Sequence, residues 1–209
     1  ATHLYHGGQF ERLADMMSQP WMIARFNGGG YTYDGFIADL TLAWNRLHEE
    51  TQHQIEAGQG PRALAQCVRY ALIQTSINSL SGNYAPELVA RAVETGFWAP
   101  DRALSVAARV PDAVQRSAMF SALFATGKLS VAHLIQAQRG GQEAALDIGD
   151  DWARASALAA LARHLDGEAR QQALKQWLET TQDIDDLRYR AEALAAPARH
   201  LNGEVLQQA

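Results

Sequence analysis

The chain has 209 residues, of which 47% are hydrophobic and 20% charged, enough apolar material to bury a real core and too much for a disordered segment. Its net charge of -5, from 18 Lys plus Arg against 23 Asp plus Glu, gives no overall basic footprint of the kind nucleic-acid binding favours. A single cysteine, Cys67, excludes an internal disulfide framework and fits a reducing compartment. No apolar run approaches the roughly 20 residues needed to cross a bilayer, and the N-terminus lacks the zones of a signal peptide. The sequence is therefore read as cytoplasmic, with neither membrane nor nucleic acid as partner. Because it opens on Ala1 and both begins and ends within helical patterning, it reads as a piece of a longer protein.

Residues 1–60 are predicted to form an irregular helical connector. Phe10, Leu13, Ala14 and Met17 fall at i, i+3, i+4 and i+7, one apolar helix face. Pro20 starts a short segment that the glycines at 28–30 stop. From Tyr33, the stripe Phe36, Ile37, Leu40, Trp44 and Leu47 predicts a long helix to about Ala57, and Gly58-Gln59-Gly60-Pro61 marks the internal boundary.

Residues 61–209 are predicted to be a helical repeat array. Leu64, Cys67, Val68, Ala71 and Leu72 line one face of a helix ending near Ser81-Gly82-Asn83, with Cys67 as a small buried hydrophobe. Pro86 and Pro100 each open a short helix, since proline is tolerated in the first turn. Three later helix starts share one grammar: Asp112, Asp150 and Asp186 each stand four residues before Arg116, Arg154 and Arg190, and two after Val110, Ile148 and Ile184. The aspartate caps the open N–H groups of the first turn, and the arginine is expected to pair back to it. Turns are expected at Gly82, Gly96, Gly127, Gly167 and Gly203.

The strongest signal is self-similarity. Arg154 to Ala173 matches Arg190 to Ala209 at 15 of 20 positions, at an offset of 36 residues. Each copy reads as a helix, a turn at Gly167 or Gly203, and the start of a second helix, so the fold class predicted is all-α, an α-solenoid of antiparallel helix pairs. The second copy stops at Ala209, equivalent to Ala173, so Leu194, Leu201, Val205 and Leu206 are expected to be partly exposed and to support weak homodimer formation through the C-terminal repeat.

At the run Arg69-Tyr70-Ala71-Leu72-Ile73-Gln74 to Asn83, at Pro86-Glu87-Leu88, at Gly96-Phe97-Trp98-Ala99-Pro100 and at Arg109-Val110-Pro111-Asp112, the chain resembles the helical-repeat region of bacterial STAND NTPases. The unit Ala157 to Leu165 and its counterpart Ala193 to Leu201 fit the same region. Pro20-Trp21-Met22-Ile23-Ala24-Arg25-Phe26, with Phe36, Asp39 and Trp44, resembles the connector that precedes it. Those proteins are signalling ATPases in which an NB-ARC or NACHT-type nucleotide switch is followed by repeats that sense a trigger. The resemblance implies a HEAT- or TPR-like interaction segment that binds a protein partner or the neighbouring switch domain.

No catalytic, cofactor or metal site is predicted. Gly127-Lys128, the chain's one Gly-Lys pair, is followed by Leu129 where a P-loop requires Ser or Thr, so no ATP binding is expected. His48 and His53 are five apart, about 140° around a helix, and do not converge on a metal. Ser105, Ser130 and Ser156 lack a nucleophile elbow. His164 and His200 sit at equivalent repeat positions, where a protonated ring would interact favourably with a helix C-terminus. The tryptophans read as core anchors, with Trp98, in a turn beside Pro100, the one candidate for partner binding. Function is expected to be non-catalytic: an interaction and sensor segment of a STAND-type ATPase, or, as the alternative, a stand-alone scaffold solenoid.

Overall fold

The computed structural model describes the backbone of residues 1–198 and the side chains of residues 1–195. Among the described residues the chain is all helical, with twelve helices and no strand. It divides into two compact units, Ala1–Leu80 and Ser81–Ala209. Gly203 and His200, and the end of the second repeat copy with Leu201, Val205 and Leu206, lie outside the described residues.

The first unit is organised by one long helix. α4 (Asp34–Glu56) carries Phe36, Ile37, Leu40 and Ala43 on its buried stripe. The short helices α1 (Thr2–His6), α2 (Phe10–Met16) and α3 (Gln19–Gly28) pack on it, with Leu13 and Met17 completing the core. Gly30 follows α3 with a φ of +69°, a left-handed conformation that glycine adopts without a Cβ penalty. The glycine-proline break after α4 is a real turn, but α5 (Leu64–Ser81) shares the core of the N-terminal unit through Tyr70 and Ile77. The boundary between the compact units therefore falls a helix later than the composition break.

On α5 the structure corrects the predicted face. Tyr70 and Ile77 are buried, whereas Leu64, Val68 and Leu72, placed by the pattern on the core side, are 54%, 50% and 63% exposed. The helix is apolar on nearly every side, so its hydrophobic period does not select a face, and the bulk of Tyr70 decides it. Cys67 is half-buried beside that seam.

An ion pair on a buried carboxylate ties α3 to α4. Asp39, 5% exposed, receives the Trp21 indole N–H at 3.0 Å and faces the Arg25 guanidinium at 3.0 Å. Arg25 also donates to the Gly35 carbonyl at 3.1 Å. A charge taken from water must be matched in this way, because an uncompensated buried carboxylate would be strongly destabilising.

Among the described residues the second unit holds seven helices: α6 (Pro86–Glu94), α7 (Pro100–Ala108), α8 (Ala113–Ala125), α9 (Val131–Leu146), α10 (Asp151–Ala162), α11 (Gly167–Asp183) and α12 (Leu187–Ala198). α8 packs on α9 and α10 on α11, and α10 also touches α8, α9 and α12. The expected turns at Gly82, Gly96 and Gly127 are present, the last two with left-handed φ of +73° and +61°, whereas the turn expected at Gly167 falls earlier, at Arg163 and His164, and Gly167, with φ of +54°, is the first residue of α11. The core runs through α6 to α12 as one cluster, rich in alanine at Ala103, Ala107, Ala137, Ala144, Ala145 and Ala155.

Close approach inside this unit depends on a glycine pair in the middle of α9. A Cβ built on Gly140 would press into the Phe120 ring of α8, 2.8 Å from Cε1, and one on Gly141 would lie 3.0 Å from a Leu161 methyl of α10. Glycine inside a helix costs roughly 0.5–1 kcal/mol relative to alanine. Here it lets α9 lie directly on an aromatic ring.

Candidate interaction surfaces

The three repeat starts are built alike. Asp112 accepts the Gln115 N–H at 2.7 Å, Asp150 accepts the Ala153 N–H at 2.7 Å, and Asp186 accepts from Arg188 at 2.8 Å and Tyr189 at 3.4 Å. These are N-caps, as the spacing predicts. The arginines do something else. Arg116 donates to the Val110 carbonyl at 2.8 Å, Arg154 to Ile148 at 2.8 Å, and Arg190 to Ile184 at 2.8 and 2.6 Å.

The expected pairing of each arginine with the aspartate four residues earlier is thus replaced by a longer reach to the carbonyl six residues back. Side chains on a helix lean toward its N-terminus, so an arginine in the first turn naturally overshoots the cap. The cap oxygen is meanwhile engaged by backbone N–H groups. Val110, Ile148 and Ile184 are 1%, 3% and 6% exposed, so each guanidinium staples a carbonyl whose own side chain is plugged into the core. Carboxylates join only at the edge: Asp147 contacts Arg116 at 2.5 Å and Asp151 contacts Arg154 at 2.9 Å.

Trp98 is not an exposed platform. It is 7% exposed, packed edge-on against Tyr84 with ring centroids 5.2 Å apart, and covered by the Arg102 guanidinium at 4.2 Å. Its backbone N–H reaches the Ala92 carbonyl, which folds the turn so that the indole points inward. The residue that projects from this turn is its neighbour Phe97, 80% exposed.

One polar constellation was invisible in the sequence. Ser130 caps α9, its Oγ lies 2.9 Å from His133 Nδ1, and His133 Nε2 lies 3.1 Å from Asp101 Oδ1 on α7. The order Ser, His, Asp resembles a nucleophile, base and orienting acid. The remaining bonds show a capping box: the Ser130 N–H donates to His133 Nδ1 and the His133 N–H to Ser130 Oγ, both at 3.4 Å. Asp101 is 77% exposed, so its carboxylate stays hydrated instead of holding a charge in a dry site. Capping and an α7–α9 tie account for all three side chains.

His164, expected to favour its protonated form at the end of α10, is pushed the other way. Burial lowers its pKa below the ordinary 6.5, and the neighbouring Arg163 lowers it further. The residue stays partly open to solvent while its ring stacks on Phe124, with centroids 5.9 Å apart and an interplanar angle of 5°.

Among the described residues no three His, Cys, Asp or Glu side chains converge as a metal site, and no helix is long and apolar enough to cross a membrane. Exposed apolar side chains gather at the start of α9, where Val131 and Ile135 are 75% and 64% exposed, and on two further surfaces. One is α12, where Leu187 and Tyr189 are 73% and 54% exposed and Tyr189 meets Trp152 edge-on. The other is the outer side of α5, beside a groove of about 530 Å³. No family model matches this sequence, and no curated protein or solved structure matches it.

Proposed function

We propose that this chain is a non-catalytic helical-repeat segment that binds protein, within a larger STAND-type signalling ATPase. The observation that carries the reading is the recurrence of one helix start, an aspartate cap with an arginine stapled to a plugged carbonyl, at Asp112, Asp150 and Asp186 on helices packed side by side. Helix pairs repeated in this way, α8 with α9 and α10 with α11, form the layers of a solenoid, and α12 opens the next layer. A stacked array of this kind presents an extended surface and carries little machinery for chemistry. The STAND assignment adds the resemblance of the Trp98, Asp112 and Ala157–Leu165 segments. It is supported further by the Trp21, Arg25 and Asp39 cluster, which ties residues of the connector-like stretch together around one buried carboxylate.

In that role the segment would act by contacting the switch domain or a trigger protein better in one of two states, since only differential contact shifts an equilibrium. It would need no cofactor of its own. Two copies would also associate weakly through α12, where Leu187, Tyr189 and Leu194 are exposed. The deciding experiment is to sequence the coding region upstream and express what it encodes together with this chain. A P-loop domain whose ATP turnover changes when Leu187 or Tyr189 is replaced by Asp supports the reading. An upstream region with no P-loop leaves the scaffold solenoid in its place.

A further inference from the structure

The outer side of α5 is an unusual surface. Leu64, Val68, Leu72 and Leu80 are each at least half exposed and fall at multiples of four residues, a ridge that crosses the exposed side of the helix diagonally and turns about 160° between Leu64 and Leu80. From Leu64 to Leu80 that ridge spans about 24 Å at 1.5 Å per residue. Beside it the surface sinks into the groove of about 530 Å³, where Met22 of α3, Tyr33 and Ile73 supply the apolar walls. Arg69 is the one charged residue lining the groove. Its guanidinium donates to the Met17 carbonyl at 3.4 Å, and among the described residues no carboxylate forms an ion pair with it.

We propose that this groove docks an amphipathic helix from a partner protein, with its apolar stripe along the α5 ridge and a carboxylate on the flank of that stripe paired with Arg69. The occupant follows from shape and charge. A four-residue ridge beside a groove is the surface onto which another helix packs, ridges into grooves. The part of the ridge that also lines the groove, from Val68 to Leu80, is about 18 Å long and suits about three turns of helix, more than a small ligand needs. A second copy of α5 fits poorly, because the segment Leu64–Ser81 contains Arg69 and no Asp or Glu, so copies laid together would supply cations without a counter-charge. A membrane surface is disfavoured by the same count, since one arginine gives little attraction to anionic lipid.

The proposal rests only on the view of the chain as a protein-binding module, and is independent of any upstream ATPase. The test uses the full chain and two labelled synthetic 18-residue alanine-based helices with leucines at i, i+4 and i+7. They differ only in a flanking residue, Glu in one and Lys in the other. Fluorescence anisotropy should show the Glu helix binding with a Kd on the order of tens of micromolar and the Lys helix about tenfold more weakly. Leu72→Asp should weaken the Glu helix by about tenfold or more, and Arg69→Glu should reverse the preference between the two. Leu72 and Arg69 are exposed, so both variants keep the core intact. Equal binding of the two helices, indifference to Leu72→Asp, or no binding at all would overturn the proposal. So would a chain dimer in light scattering that Leu72→Asp dissolves, which would make a second copy the occupant. None of these outcomes alters what the upstream sequence says about an ATPase.

Discussion

The Arg154 guanidinium donates to the Ile148 carbonyl at 2.8 Å across the start of α10, and Arg190 makes the same bond to Ile184 at the start of α12. A charged donor on a partly buried carbonyl contributes about 1.5–3 kcal/mol, several times the roughly 0.3–0.5 kcal/mol of an exposed pair on a helix surface. Arg154→Ala is therefore expected to destabilise the fold by about 1–3 kcal/mol, and Arg154→Lys by a large fraction of that, since an ammonium cannot keep the planar fork. Asp151→Asn, which removes only the carboxylate beside Arg154, should cost under about 0.5 kcal/mol. Denaturant melts that rank Asp151→Asn above Arg154→Ala would show the ion pair, and not the staple, to be the main bond. Asp150→Ala, which removes the cap itself, should cost about 0.5–2 kcal/mol.

Gly140→Ala should be destabilising, against the ordinary gain from filling a helix interior. Its new methyl meets the Phe120 ring, and overpacking of this kind costs about 1–3 kcal/mol. Combining it with Phe120→Leu should recover some of the loss, a coupling visible in a double-mutant cycle. A stabilised Gly140→Ala single variant would contradict the close α8–α9 approach.

His164 gives the protein a pH dependence with a defined sign. Its pKa is lower folded than unfolded, so between the folded value and 6.5 the unfolded chain binds more protons. Stability should be fully present above pH 6.5 and fall as the pH drops through that window. His164→Gln should flatten the change in thermal melts across it, and a slope of opposite sign would mean that the dipole of α10 outweighs burial and Arg163.

For the Ser130, His133 and Asp101 chain, capping predicts a loss of about 0.5–2 kcal/mol for Ser130→Ala or His133→Ala. The same reading predicts that the full chain hydrolyses p-nitrophenyl acetate no faster than the His133→Ala variant. A burst of nitrophenol that needs Ser130 would instead make these residues a catalytic group.

What was legible in the sequence was what depends on near neighbours. The aspartate caps, the proline starts and the turns at Gly82, Gly96 and Gly127 are fixed by residues close in sequence, and the structure places them where the spacing does. Arg116, Arg154 and Arg190 were visible as a pattern, but their acceptors were not, because a carbonyl leaves no trace in composition. The same limit hid Gly140, whose role depends on Phe120, and His133, whose second partner Asp101 is 32 residues away. Trp98 lies in a turn beside Pro100 that in sequence reads as surface, while the Ala92 carbonyl and Arg102 hold the indole inside. On α5 apolar residues lie on every side, and only the packing of Tyr70 shows which of them are left outside.

The near-identity of Arg154–Ala173 and Arg190–Ala209 bears on how such a chain changes length. Plug, cap and staple all lie within a few residues of each repeat start, so a 36-residue unit carries the whole device for seating itself on its predecessor. Duplication or loss of one unit would leave every remaining start intact, and so would an insertion outside the seven residues from plug to staple: the starts at Asp112, Asp150 and Asp186 stand 38 and 36 residues apart with the same bond at each. Helices of this kind can therefore be added or removed together with their joints, because each joint is written into the few residues around its own helix start.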